Sequence, residues 1–502
     1  MKTFDDYKKI YLDTRKKLIA YRFANFIISW DSETIAPRDC FSFRSEQEAI
    51  LALEIYKIQT NSEYVEAINN LYDNKELLDD VLKHEIEVVK KDVEDNLKIP
   101  ESEIEESAKI FSSAHSIWAQ AKNANDFKMF EDTLDKIVKY ERRIVNYLKT
   151  DEMQGYDILL DQYEKGMTTK EYDEFFNVLK EKLVPFVKKV LVKGNHFDEK
   201  FMNKKYPKET QRKVCEYFRD VMCFDKNKGI MAESEHPFTS GFGTDDVRIT
   251  VHYYENILTS AIFSVIHETG HATYMAQVDP RLNATFSGDG ASMAMHESQS
   301  RFYENIIGRS EAFWRKHYTV LQNYFKRQLK DVSVETFIKE VNKVENSYIR
   351  TEADELTYPL HIMLRYEIEK KLISGQLEVK DAPSEWNRLF KEYFGLDIKN
   401  DSEGILQDIH WAHGSFGYFP TYALGSAYGA QFLNAMRKDM NFEEEISKDN
   451  LSTINSWLKE HIHKYGSSKY PKEIIKLATG EDFNPNYYVN YLIDKYSKIY
   501  DI

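Results

Sequence analysis

A chain of 502 residues with 42% hydrophobic and 14% aromatic residues carries ample core material and reads as globular rather than disordered. Its net charge of −15 excludes nucleic acid or an anionic membrane as the main partner. No segment approaches the roughly 18 uncharged apolar residues of a membrane span.

The N-terminus has no apolar signal region. Cys40, Cys215 and Cys223 lack metal spacing and cannot all pair with one another, which fits a reducing cytosol. A cytoplasmic protein is expected. With 11 Pro and 19 Gly, no repeats and no low-complexity linker, the chain reads as one mostly α domain over residues 1–502. Lobes 1–225 and 226–502 would then flank a groove.

Residues 1–28 read as a helix, residues 28–37 as a break, and a second helix starts near Phe43. Within the break, Trp30 and Asp31 suit packing and capping at a helix corner. Long helices of mixed charge fill residues 63–150. Pro100 marks one start, with Glu101, Glu103, Glu105 and Glu106 in the first turns, where the helix dipole favours acids. Residues 156–168 lead into a helix near 170–193, and another covers about 207–224.

The character then changes. Between 228 and 254 glycines cluster, and the alternation Val247-Arg248-Ile249-Thr250-Val251-His252-Tyr253-Tyr254 reads as a strand in a small antiparallel sheet. An edge of that sheet could hold an extended peptide by main-chain hydrogen bonds. It runs directly into a helix marked by Ile257, Leu258, Ala261, Ile262, Val265 and Ile266 at three-to-four spacing.

That helix holds His267-Glu268-Thr269-Gly270-His271. Residues four apart lie about 40° apart around a helix, so His267 and His271 can grip one metal ion from one face. Glu268 stands where the general base for an attacking water belongs. A catalytic zinc needs a third protein ligand and one open position. Residue 277, six after His271, is Gln, so the ligand comes from elsewhere. Asp279-Pro280 ends the pattern, Ser287-Gly288-Asp289-Gly290 forms a loop, and Ser292 caps the next helix. That helix offers His296, Glu297 and Glu304. Glu297 completes the common two-His-one-Glu set, and His296 is left to support the site or face substrate. Asp354 is a candidate to bond the far nitrogens of the histidine ligands.

From 311 onward the chain is again helical, with Pro359 kinking or interrupting a helix. Residues 404–422 pack His, Asp, Trp, Gly and Tyr without amphipathic period and read as a loop built for a site. Tyr418, Tyr422 and His410 there could donate to a tetrahedral oxyanion.

Six motifs in order resemble the carboxypeptidase Taq family of metallocarboxypeptidases. They are His236-Pro237-Phe238; Asp246-Val247-Arg248-Ile249-Thr250; the His267–His271 motif; His296-Glu297-Ser298-Gln299; Ile349-Arg350-Thr351-Glu352-Ala353-Asp354; and Gly404-Ile405-Leu406-Gln407-Asp408-Ile409-His410-Trp411. One departure is minor: Ile35-Ala36-Pro37 stands where Met before Pro belongs.

The resemblance implies a helical, zincin-like, dimeric enzyme with a deep groove and a zinc or cobalt ion. It implies His267, His271 and Glu297 as ligands and Glu268 as base. It also implies release of single C-terminal residues with broad specificity, sparing proline. Such an enzyme must hold the terminal carboxylate, which calls for a bidentate Arg. Arg248 and Arg350 are the candidates; each also has a structural reading, as a partner of Asp246 and of Asp354. His236 is placed at the groove wall near the strand. The alternatives are a zinc oligopeptidase cutting internal bonds and a non-catalytic peptide-binding relative. The second needs a broken site, and every site residue is present.

Overall fold

The computed structural model describes residues 2–194 and 199–502. Helices dominate. The N-terminal half holds α1 (Phe4–Thr34), α2 (Phe41–Gln59), α3 (Ser62–Asp73), α4 (Asp80–Lys98), α5 (Glu101–Ala124), α6 (Lys128–Leu148), α7 (Tyr156–Tyr163), α8 (Thr169–Lys193) and α9 (Lys208–Val221). Strands β1 (Gly229–Glu233), β2 (Thr239–Gly241) and β3 (Val247–Val251) follow, then α10 (Leu258–Ala276) and α11 (Met293–Arg301). A π-helical segment, Phe302–Ile307, extends α11. The remainder is α12 (Glu311–Tyr324), α13 (Lys326–Leu329), α14 (Val334–Val341), α15 (Tyr358–Ser374), α16 (Ala382–Phe394), α17 (Phe419–Asp439), α18 (Phe442–Ile446), α19 (Ser452–His461), α20 (Pro471–Thr479) and α21 (Asn486–Tyr500). Among the described residues no helix is long and apolar enough to cross a membrane.

Three local expectations need correction. The break expected at 28–37 is narrower, because α1 continues to Thr34: nothing before Pro37 removes a donor or frees the backbone. Trp30 and Asp31 therefore sit on the helix, with Trp30 buried and Asp31 paired to Arg44 at 2.6 Å. Pro359 does not kink a helix; it lies in the first turn of α15, where its missing N–H costs nothing.

The sheet is mixed rather than antiparallel. Its order is β1-β3-β2, with β1 parallel and β2 antiparallel to β3. Both outer strands pair with β3 instead of with each other. Two reversals separate β1 from β3, so β1 reaches the free edge of β3 running in the same direction.

Among the described residues two apolar cores form. The larger draws on residues from Ala114 to Tyr500, on both sides of position 225. The smaller joins α1, α3 and α4 through Tyr11, Leu18, Tyr64, Ile68, Leu71 and Ile86. Glu85 ties the smaller core to the connection between α10 and α11. One carboxylate oxygen accepts from Tyr11 and Arg15, and the other from the backbone N–H of Phe286 at 2.7 Å.

Candidate active site

Helix α10 is apolar and buried on most sides, so its few polar side chains stand out by position. His267 and His271 lie one turn apart with ring centroids 5.0 Å from each other. Glu297, delivered by α11, brings Oε2 to 4.0 Å from His267 Nε2 and 3.8 Å from His271 Nε2. One ligand atom from each of the three lies within 4.8 Å of the others. Glu268 points toward the sheet, where its Oε2 accepts from the Thr239 hydroxyl of β2 at 2.7 Å.

The convergence of α10 and α11 depends on glycine. A Cβ on Gly270 would lie 2.8 Å from both the Gln299 carbonyl oxygen and the Ser300 Cα. On the far side of α11, a Cβ on Gly425 of α17 would lie 2.7 Å from Glu297 Cβ. Backbone contact on both sides therefore sets how far Glu297 reaches.

Two of the three side chains are braced from behind. His267 Nδ1 donates to Glu304 Oε2 at 2.9 Å, leaving Nε2 for a metal. Arg301 and Arg309 hold the same Glu304 carboxylate at 3.3 and 3.1 Å. Arg301 also donates to Glu297 Oε1 at 2.7 Å, so only Oε2 of that acid faces the histidines. Asp354, expected in Glu304's place, instead caps its own turn through Leu356, Thr357 and Glu345.

Burial dominates the electrostatics. It pushes the Glu268 carboxyl up, against the Thr239 hydrogen bond. It pushes the His271 imidazole well below its ordinary value, which keeps that ring neutral. It acts the same way on His267, but there Glu304, Glu297 and Glu268 outweigh it and the net shift is upward. Glu304 is buried too, yet Arg301, His267 and Arg309 hold it far below the carboxylate range.

A second polar cluster stands one aromatic ring away. The Tyr358 ring lies 4.6 Å from the Arg301 guanidinium, and its hydroxyl accepts from Arg350 Nη1 at 3.0 Å. Arg350 also donates to Asp408 Oδ1, and Arg365 holds Oδ2 of the same acid. The Arg350–Asp354 pair expected from helical spacing does not form, because residues 350–352 make a single 3-10 turn that turns Arg350 toward Asp408. Two guanidinium cations share one carboxylate, which leaves one positive charge in surplus.

His410, Tyr418 and Tyr422 line a 230 Å³ cavity beside that cluster. His410 Nε2 lies 3.4 Å from the Tyr422 hydroxyl, and the Arg350 guanidinium stands 5.2 Å from the Tyr422 ring. Burial holds His410 down at about 4, so it is neutral near pH 7. The charge of Glu297 acts on both tyrosines.

The remaining residues singled out in the sequence fall elsewhere. Both Asp246 oxygens accept from Arg248 at 2.7 Å. Strand pairing puts Ile249 opposite Thr239, on the α10 side, so Arg248 faces the other way, onto Phe26 and Trp30 of α1. His236 is exposed in the connection from β1 to β2, and its carbonyl accepts from Ser234. His296 bonds Asp289 at 3.1 Å, with its ring 5.6 Å from that of His271.

A model of the carboxypeptidase Taq (M32) metallopeptidases matches residues 11–496. The chain belongs to that family. Carboxypeptidase 1 of Bacillus subtilis is 42% identical over 495 residues, covering 98% of this chain and 99% of its own. Thermostable carboxypeptidase 1 of Pyrococcus furiosus is 37% identical, covering 96% of each. The crystal structure of the M32 carboxypeptidase from Deinococcus radiodurans superposes with a TM-score of 0.94 at 30% identity, over 99% of this chain and 100% of that one.

Membership of the M32 family brings a divalent metal with it, and the donor set suits one. Two imidazole nitrogens and one carboxylate oxygen converge within 4.8 Å of one another, the three-ligand set of an open catalytic site. Several residues of this M32 peptidase escape sequence reasoning. Tyr358 joins the two clusters although it sits beside a proline that reads only as a helix breaker. Thr239 lies on a three-residue strand too short to show alternation. Gly425 carries no pattern at all. Glu304 was visible, but as a rival third ligand. A cavity of about 730 Å³ lies apart from this chemistry, behind the π segment, with Arg309 in its wall.

Proposed function

We propose that this M32 metallopeptidase releases single residues from the free C-termini of peptides with broad specificity. His267, His271 and Glu297 hold the metal, and Glu268 is the base. The observation that carries the exopeptidase reading is the surplus cation at Arg350. It stands one phenol ring from the Glu297–Arg301 pair, next to a cavity lined by His410, Tyr418 and Tyr422. On this reading the peptide carboxylate sits at Arg350 and the terminal peptide bond at the metal ligands.

Zinc fits two nitrogens and a carboxylate, and cobalt suits the same set. When bound, such an ion polarises the scissile carbonyl and acidifies water. Glu268 takes the proton from the attacking water and passes it to the leaving amine. Thr239 holds the Glu268 carboxylate in place for both transfers. Tyr418, Tyr422 and His410 supply hydrogen bonds to the substrate end. Arg350 is preferred over Arg248, which lies on the sheet face turned away from α10, over Phe26 and Trp30. His296 stiffens the His271 side, and His236 is left at the outer wall.

Three unpaired cysteines support a reducing, cytoplasmic setting. A homodimer is the assembly the family resemblance implies, and light scattering reads it directly.

The test is a defined peptide incubated as the free acid and as the C-terminal amide, with and without chelator, followed by mass. Stepwise C-terminal loss is expected from the acid alone, and chelator abolishes it. Cleavage of the amide at internal bonds would sink the exopeptidase reading, and indifference to chelator would sink the metal.

A further inference from the structure

The side chains around the 230 Å³ cavity come from a segment with little regular structure. His410–His413 form one 3-10 turn, Gly414 and Gly417 have positive φ, and α17 begins at Phe419. Such a segment needs an external template. We infer that Glu369 of α15 is a positioning residue for substrate recognition: it clamps both ends of the 411–417 loop on one buried carboxylate and so fixes His410 and Tyr418. The inference rests on the reading that the Arg350, His410, Tyr418 and Tyr422 cluster receives the substrate C-terminus.

The geometry is specific. Glu369 is 0% exposed. Its Oε1 accepts from Trp411 Nε1 at 2.7 Å. Its Oε2 accepts from the Gly417 backbone N–H at 2.8 Å and from the Tyr156 hydroxyl of α7. His410 is the residue before Trp411, and Tyr418 the residue after Gly417. The clamp therefore sets the spacing of two cavity-lining rings, whose centroids are 5.6 Å apart.

The other end of the same segment is held from the same helix. Arg365, one turn before Glu369, holds Asp408, which in turn holds Arg350. Helix α15 thus reads the segment twice, with a guanidinium at Asp408 and a carboxyl at Trp411 and Gly417. The loop has little freedom to settle elsewhere. Gly417 sits at φ 92°, and a Cβ there would lie 2.6 Å from the Leu159 carbonyl oxygen.

A bland alternative is that Glu369 merely satisfies buried donors. The chemistry argues for more. An indole N–H and a backbone N–H can only donate, and they reach different oxygens, so the side chain must accept on both. Glutamine cannot do that without aiming its own N–H₂ at a donor. A neutral isostere of the same size would be easier to bury than this acid, but it could not accept on both atoms.

The test compares wild type with Glu369→Gln and Trp411→Phe on free-acid and amide peptides, with bound metal and thermal unfolding recorded for each. Glu369→Gln is expected to raise KM for the acid about tenfold with kcat little changed and metal content intact, and Trp411→Phe about threefold. The double variant should be no worse than Glu369→Gln alone, because both break one clamp. A wild-type KM in folded Glu369→Gln overturns the inference, as does a loss confined to kcat. If Glu369→Gln does not fold, Trp411→Phe decides, and an unchanged KM there overturns it. A wild-type enzyme that ignores the difference between acid and amide would instead defeat the underlying functional reading. Normal discrimination with unaltered variants defeats only the role of Glu369.

Discussion

Glu304 stands directly behind His267: its Oε2 accepts a hydrogen bond from Nδ1–H at 2.9 Å, and two arginines pin the same carboxylate. The ring is thereby fixed in the tautomer that presents Nε2 to a metal. Replacing Glu304 by Gln keeps the shape and removes the charge. Metal affinity should fall about tenfold, the low end for partners of ligand histidines. Competition against a chromogenic chelator measures it, and unchanged affinity would show that Arg301 and Arg309 alone orient the site.

Glu268 accepts from the Thr239 hydroxyl and lies beside the ligands without joining them. Glu268→Gln should lower kcat by about 10²–10⁴-fold, the range for a lost general base, with metal content unchanged. Thr239→Val should give a smaller loss of the same kind. Steady-state kinetics with metal analysis separates this from a folding defect. Retained activity in Glu268→Gln would mean that another group moves the proton.

Gly270 has no space for even a methyl group. Gly270→Ala puts a carbon against the backbone of Gln299 and Ser300, and neither can swing aside. The helices must part, at a cost of about 1–3 kcal/mol for such overpacking. Urea unfolding should show the loss, and metal should bind more weakly because Glu297 retreats with α11. Full stability together with full affinity would mean that the seam opens at no cost.

Glu141 of α6 is buried, and burial, with Glu369 adding its charge, lifts its carboxyl to about 8. The unfolded chain gives up that proton near pH 4.3. Between the two values the folded protein holds a proton that the unfolded chain has lost, so stability falls as pH rises from about 4 to about 8. Glu141→Gln removes that slope. It should leave stability near pH 4 almost unchanged and raise it by about 2–4 kcal/mol at pH 8.5, the order set by a shift of that size. Thermal melts at both pH values check it. An equal effect at both would mean that the Glu141 carboxyl is ionised throughout.

Local chemistry was easier to read in the sequence than anything set by distant packing. His267 and His271 are four residues apart, so the helix repeat alone puts them on one face. Glu297 follows from ligand chemistry and a cap at Ser292. Long-range partners were not legible in the same way. Arg350 has an acid four residues later, yet it pairs with Asp408, 58 positions on, because a 3-10 turn replaces the helix that the spacing assumed. Residue type alone makes Asp354 a candidate to brace a ligand, but the π segment carries Glu304 there instead. The direction of β1 depends on which edge of β3 stays open, and no periodicity encodes that. Tyr358 gains its role only because Arg301 and Arg350 arrive on either side of it.

The glycine seams at Gly270 and Gly425 also bear on ion choice. Helix α11 lies in a slot whose walls are main chain, so Glu297 has little room to give way to a larger guest. Calcium asks for about six to eight oxygens at about 2.3–2.6 Å. A fixed socket with two nitrogens and one oxygen offers it neither the number nor the width. Small, nitrogen-tolerant ions lose nothing by that rigidity. On the proposed ligand set, two residues without side chains would act as a gauge of ionic size at that centre.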